Sequence, residues 1–291
     1  EKIISAKNFG KSSFQANWKQ GVGEIYKKAE LPREWLVELK TFTEDQGLEF
    51  MVAPYDIEAL EQLVEIGINN IKLGSGETSN LDFVREAART GLPLILAAGA
   101  CTLAEVDDAM NECVKAGNEN VILLQCITQY PTPFHASNLM AMKAFADTFG
   151  CLVGYSDHTP GLAVPLGAVA LGGRVIEKHF TDDKSRTGPD HSFAMDLKDF
   201  SQMATEIRNL EAALGSTWKR VEACEADTVV LQRRGLTTKK DIKKGEKLSL
   251  ENTELLRPQK GLLPKESKNV MGKFVNHDIP AGTPVTWEDI G

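Results

Sequence analysis

Short apolar runs recur along the first three quarters of the chain, each bounded by polar or turn-forming residues. They are Leu48-Glu49-Phe50-Met51-Val52-Ala53, Ile71-Lys72-Leu73-Gly74, Leu94-Ile95-Leu96-Ala97, Val121-Ile122-Leu123-Leu124, Leu152-Val153-Gly154-Tyr155 and Val175-Ile176-Glu177. Runs of this length suit strands. Between them the period changes. Over Leu103 to Ala116, Leu103, Val106, Ala109, Met110 and Val114 fall at three- and four-residue steps, which predicts a helix with one apolar face. Thr102 before it, with Glu105 three residues on, is spaced for a capping box. Asp56 to Glu65 reads as a second helix. Strand and helix in alternation predict parallel strands covered by helices, an α/β fold.

Six such units can be counted. An open, doubly wound sheet is complete with six, whereas a closed (β/α)8 barrel of the TIM type needs eight. The polar residues favour the barrel. Lys72, Ser75 and Glu77 follow one strand, Thr128 and Tyr130 another, Ser156, Asp157 and His158 a third, and His179 a fourth. In a barrel all of these share one rim, whereas an open sheet gathers only those beside its switch point.

After about Gly215 the pattern stops. Residues 216–232 read as a linker, leaving 1–215 as the barrel domain and 233–291 as a small second domain. That tail contains an echo. Asp241-Ile242-Lys243-Lys244-Gly245-Glu246-Lys247-Leu248 returns as Asp278-Ile279-Pro280-Ala281-Gly282-Thr283-Pro284-Val285, so two similar half-units of turns and short strands are expected.

Composition narrows the function. Hydrophobic residues at 42% and charged residues at 25% describe a globular chain, and 291 residues can bury a core without disulfides. A net charge of -8 argues against nucleic acid as partner. Five cysteines, with no CxxC pair, argue against a zinc ribbon or a secreted disulfide framework and suit a reducing cytoplasm. No apolar stretch approaches the roughly 20 residues of a membrane span, so no membrane partner is expected.

Five motifs stand in order: Lys72-Leu73-Gly74-Ser75-Gly76-Glu77, Tyr130-Pro131-Thr132-Pro133, Gly154-Tyr155-Ser156-Asp157-His158, Glu177-Lys178-His179-Phe180-Thr181 and Gly188-Pro189-Asp190-His191. With them the chain resembles the sialic acid (N-acetylneuraminate) synthase family, and its tail, including Leu256-Arg257-Pro258, resembles that family's antifreeze-like (SAF) domain. The resemblance implies condensation of phosphoenolpyruvate with N-acetylmannosamine or a related N-acylated hexose, giving a nonulosonic acid and phosphate. It implies a divalent cation, manganese or magnesium, on His158 and His179. Lys72, Ser75, Thr128 and Ser156 would meet phosphoenolpyruvate, while Glu77, Tyr130 and Asp190 would face the sugar. Glu77, His179 and Asp190 are the expected catalytic groups. Arg257 would reach a neighbouring subunit's site in a domain-swapped homodimer.

The chain also departs from the family. The opening two barrel units are absent, and Lys2-Ile3-Ile4-Ser5 resembles the stretch just after the second, so this sequence is expected to begin inside a longer protein. Ala53 stands where the family has Thr or Ser, and Ala97 and Ala98 where it has Ser-Thr. Each hydroxyl lost is a charged-group hydrogen bond worth about 1.5–3 kcal/mol. Two competing readings therefore stay open: a non-catalytic sugar-phosphate binding homologue, and a synthase for a legionaminic- or pseudaminic-type acid.

Overall fold

Five short strands lie side by side in chain order, all parallel: β1 (Ile71–Leu73), β2 (Leu94–Ala97), β3 (Val121–Cys126), β4 (Leu152–Asp157) and β5 (Val175–Lys178). They belong to a computed structural model that describes residues 21–291; the Lys2–Ser5 motif lies outside the described residues. Helices carry the chain from each strand to the next, among them Leu81–Arg89, Leu103–Lys115, Met140–Phe149 and Ala163–Ala170.

The period-2 alternation of a strand splits this sheet into two apolar layers. Ile71, Leu73, Leu94, Leu96, Leu123 and Val153 point to one side and enter the large core under the helices. Ile95, Ala97, Leu124 and Cys126 point to the other and form a separate inner cluster. At the crowded inner face Gly154 is required, because a Cβ there would lie 2.2 Å from the Val175 carbonyl oxygen.

The sheet curls. Four strand spacings of about 4.8 Å would put β1 and β5 about 19 Å apart in a flat sheet, beyond the combined reach of two side chains. Yet Lys72 Nζ on β1 stands 3.1 Å from Glu177 Oε1 on β5. Their contact requires the half-barrel curvature that the shared rim of polar residues implied.

Before residue 216 the sequence-based elements among the described residues are met with two differences. Asp56 caps the helix Ile57–Glu65 by accepting from the Ala59 N–H at 2.7 Å, and Thr102 and Glu105 form the expected capping box. In the helix Leu103–Lys115, however, the buried stripe is Val106, Ala109 and Cys113, while Leu103 and Val114 flank it and are exposed. The run 48–53 is not a strand: it forms no ladder with the described residues. Its Phe50 sits in the core, and Asn70 Nδ2 donates to Glu49 Oε1 at 2.6 Å, so a side chain ties it to the β1 edge. Apolarity suited it to burial, but a strand also needs a backbone partner.

The chain divides between Gly215 and Ser216 into two units. The stretch 216–232, read as a linker, carries the helix Ala226–Gln232, and the Gln259 N–H donates to the Val230 carbonyl at 2.9 Å. The second unit pairs β6 (Gly235–Thr238) with β7 (Thr253–Leu256), antiparallel. Its sequence echo is a structural one. Ile242 and Ile279 exchange both backbone hydrogen bonds, at 2.9 and 2.8 Å. Asp278 accepts from the Lys244 N–H and Asp241 from the Ala281 N–H, each at 2.8 Å, so each copy's aspartate caps the other's turn. Leu248 and Val285, the last residues of the two copies, are both buried in one core.

Candidate active site

The strand register stacks the inward-facing side chains in layers. Ala97, Leu124, Gly154 and Val175 align across four strands, and above them Cys126, Ser156 and Glu177 align across three. Two residues further along come His158 and His179, just past the ends of β4 and β5. Alternation and register together give the apolar floor and polar middle, and the imidazoles stand at the rim just beyond the ladder. Above the floor is a cavity of about 520 Å³ whose walls include Lys72, Ser75, Thr128, Tyr130, Ser156 and both imidazoles. That volume suits a small ligand.

At the rim the rings of His158 and His179 are 5.1 Å apart at 71°. His158 Nδ1 meets the Ile127 carbonyl at 2.8 Å; a carbonyl can only accept, so Nδ1 carries the proton and Nε2 keeps its lone pair. Burial holds the His158 pKa below its usual value, favouring the neutral ring. His179 Nδ1 lies 3.5 Å from Asp190 Oδ2. Tyr130 covers both rings, with centroids 4.1 Å from His158 and 5.6 Å from His179, and burial pushes its phenol pKa up. Tyr130 thus packs as an aromatic while also walling the cavity.

Deeper in, charge and hydroxyl groups converge. Lys72 pairs with Glu177 Oε1, while Glu177 Oε2 is buried and has no hydrogen-bond partner among the described residues. Ser75 opens the one-turn helix Ser75–Thr78, and its Oγ accepts from the Gly99 N–H at 3.0 Å. No Cβ fits at Gly99, since it would come within 2.6 Å of that hydroxyl. The Cys126 thiol lies beside the Ser75 and Ser156 hydroxyls; burial raises its pKa, so it remains a neutral thiol.

The other sequence-derived candidates stand apart from these walls. Glu77 is half-buried, with Oε2 accepting from Asn80 Nδ2 at 3.2 Å. Asp190 meets the site at His179. Arg257 is exposed at the end of β7, in the second unit. His191 Nδ1 meets Thr181 Oγ1 at 2.8 Å, and His135 and His277 are exposed. Ala53 offers a methyl group to the cavity, and Ala97 is buried in the floor. Conversely, sequence reasoning assigned no role to Glu177 or Tyr55, both of which line the cavity. For Glu177 a signal existed: it is two residues from His179, hence on the same face of the strand.

The groups at the rim with the chemistry to hold a cation are the two imidazoles, His158 and His179. His158 has its Nδ1–H fixed by a backbone carbonyl, an arrangement common in metal-bound histidine. No group of three or more His, Cys, Asp or Glu among the described residues is placed to hold a metal. A bound ion would therefore take two imidazoles from the described residues, leaving positions for water and substrate.

Residues 1–219 match the NeuB family and residues 233–291 match the SAF domain. This chain belongs to the NeuB family. The N,N'-diacetyllegionaminic acid synthase of Legionella pneumophila is 39% identical over 272 residues, covering 92% of this chain and 76% of the relative. The pseudaminic acid synthase of Helicobacter pylori is 36% identical over 272 residues, 94% of this chain and 80% of that one. The crystal structure of the N-acetylneuraminic acid synthetase of Leptospira borgpetersenii is 28% identical, with a TM-score of 0.67 over 74% of this chain and 76% of that one. The NeuB and SAF assignments agree with the resemblance read from the five motifs and the tail. No helix among the described residues is long and apolar enough to cross a membrane.

Proposed function

We propose that this NeuB-family chain condenses phosphoenolpyruvate with an N-acylated amino sugar to give a nonulosonic acid and phosphate. The observation that carries this reading is the convergence, in one cavity, of a lysine, two serine hydroxyls and two adjacent imidazoles. Lys72, Ser75 and Ser156 receive the phosphate and carboxylate of phosphoenolpyruvate; Thr128 stands at the same wall. Lys72 rests against Glu177, and an incoming anion competes for that ammonium. Tyr130, Glu177, Glu77 and Asp190 orient the sugar. A manganese or magnesium ion on His158 and His179 would supply Lewis acidity to the aldehyde oxygen. C3 of phosphoenolpyruvate bonds to the aldehyde carbon, water adds at C2, and the C2–O bond to phosphate breaks, leaving a 2-keto acid. Arg257 would complete the sugar site from a second subunit of a homodimer.

The relatives include synthases for different acids, so the proposal covers legionaminic- or pseudaminic-type products as well as N-acetylneuraminate. A second reading, binding without turnover, is favoured by Ala53 and Ala97, which offer no hydroxyl to phosphate. One assay separates these. Phosphate release from phosphoenolpyruvate is measured with N-acetylmannosamine, and then with diacetamido-trideoxyhexoses, with and without Mn²⁺. Metal-dependent release with one sugar class supports a synthase and names its acceptor. Ligand binding without release with any of them supports the binding protein.

A further inference from the structure

The strand ladder does not fix the two imidazoles. β4 ends at Asp157 and β5 at Lys178, which face each other as the last rung of their pairing. His158 and His179 come one residue later, on backbone beyond the ladder. Something else must set how far apart they stand and where they aim.

A buried polar knot lies at that point. Lys178 Nζ donates to Asp157 Oδ2 at 2.6 Å, and the two side chains are 2% and 0% exposed. Lys178 also donates to the Thr159 carbonyl. Asp157 accepts in addition from the Thr159 N–H at 2.9 Å and the Thr159 hydroxyl at 3.1 Å. The knot thus grips the residues on both sides of His158 and joins them to the residue before His179. The carbonyls of the two histidines are held as well, His158 by the Thr132 N–H at 2.9 Å and His179 by the Met195 N–H at 2.8 Å.

A buried ion pair is weak evidence for stability, because desolvation offsets most of its attraction. Its placement argues for a positional role. We infer that Asp157, Lys178 and Thr159 are positioning residues that hold His158 and His179 at the separation a divalent cation requires. The inference rests on reading those imidazoles as metal ligands.

The test is Mn²⁺ affinity, read by electron paramagnetic resonance on the purified protein, beside its urea unfolding midpoint. The double variant Asp157→Asn/Lys178→Met removes both charges together, so neither is left buried alone. It is expected to unfold near the parent's midpoint yet bind Mn²⁺ about 10–100-fold more weakly. Thr159→Val keeps both charges, serves if the double variant does not fold, and is expected to weaken Mn²⁺ several-fold. Folded variants that bind Mn²⁺ as tightly as the parent overturn the positioning role alone. A parent protein that binds no Mn²⁺ overturns the metal reading, and this inference with it.

Discussion

A lysine–aspartate pair occurs in each unit, with similar geometry and opposite surroundings. Lys178 and Asp157 meet at 2.6 Å with both side chains removed from solvent; Lys243 and Asp278 meet at 2.9 Å with both largely exposed. In the second unit the pair is an accessory, because Asp278 also caps a turn through the Lys244 N–H, and water solvates either charge left alone. In the first unit each charge depends on the other. The contrast teaches that the length of an ion pair says little about its consequence; what surrounds it decides.

The largest effect expected from that contrast is in Lys178→Met, which strands the Asp157 carboxylate in the interior. It should cost about 3–5 kcal/mol in urea unfolding. A loss under about 1 kcal/mol would mean that water reaches Asp157. Gly154→Ala comes next. Its methyl would lie 2.2 Å from the Val175 carbonyl oxygen and 2.7 Å from Leu124 Cδ2, an overpacking that should cost about 1–3 kcal/mol by the same measurement.

A smaller effect is expected from pH. Burial lowers the His158 pKa from its ordinary value of 6.5, so the unfolded chain binds the proton more readily than the folded one. The stability this confers is present above pH 6.5 and is lost as pH falls through the lowered folded value. The unfolding midpoint should therefore fall as pH drops from 6.5 towards the lowered folded value, and His158→Asn should flatten this part of the profile. Smallest of all is Lys243→Ala, for which no measurable change in the unfolding midpoint is expected.

How much of this could be read from the chain depended on whether the cause was local. The capping box at Thr102 was readable because it is set by residues three positions apart, and the two similar half-units of the tail because the echo repeats in the chain; that each copy's aspartate caps the other's turn, 34 and 40 residues away, was not. The layers at the rim were readable in part, since period-2 alternation puts Ser156 with His158. The same rule places Glu177 with His179. Glu177 went unassigned because its partner, Lys72, lies 105 residues earlier on a strand that is not its neighbour. Only curvature brings those two together, and curvature leaves no mark in periodicity. The run 48–53 shows the converse, an apolar pattern that predicted a strand where no backbone partner stands among the described residues. Likewise the buried stripe of the helix Leu103–Lys115 is centred on Val106, Ala109 and Cys113, because packing selects one stripe from several apolar candidates.

The measurement that tests the central claim most directly is product formation from phosphoenolpyruvate, an N-acylated amino sugar and Mn²⁺, followed by mass spectrometry. The protein should yield a 2-keto acid carrying three carbons more than the sugar, with one phosphate released per product. The double variant His158→Ala/His179→Ala should yield less by a factor on the order of a thousand, as expected for loss of a Lewis acid worth several kcal/mol. No product from any sugar of this class, or equal product from the double variant, would contradict the account.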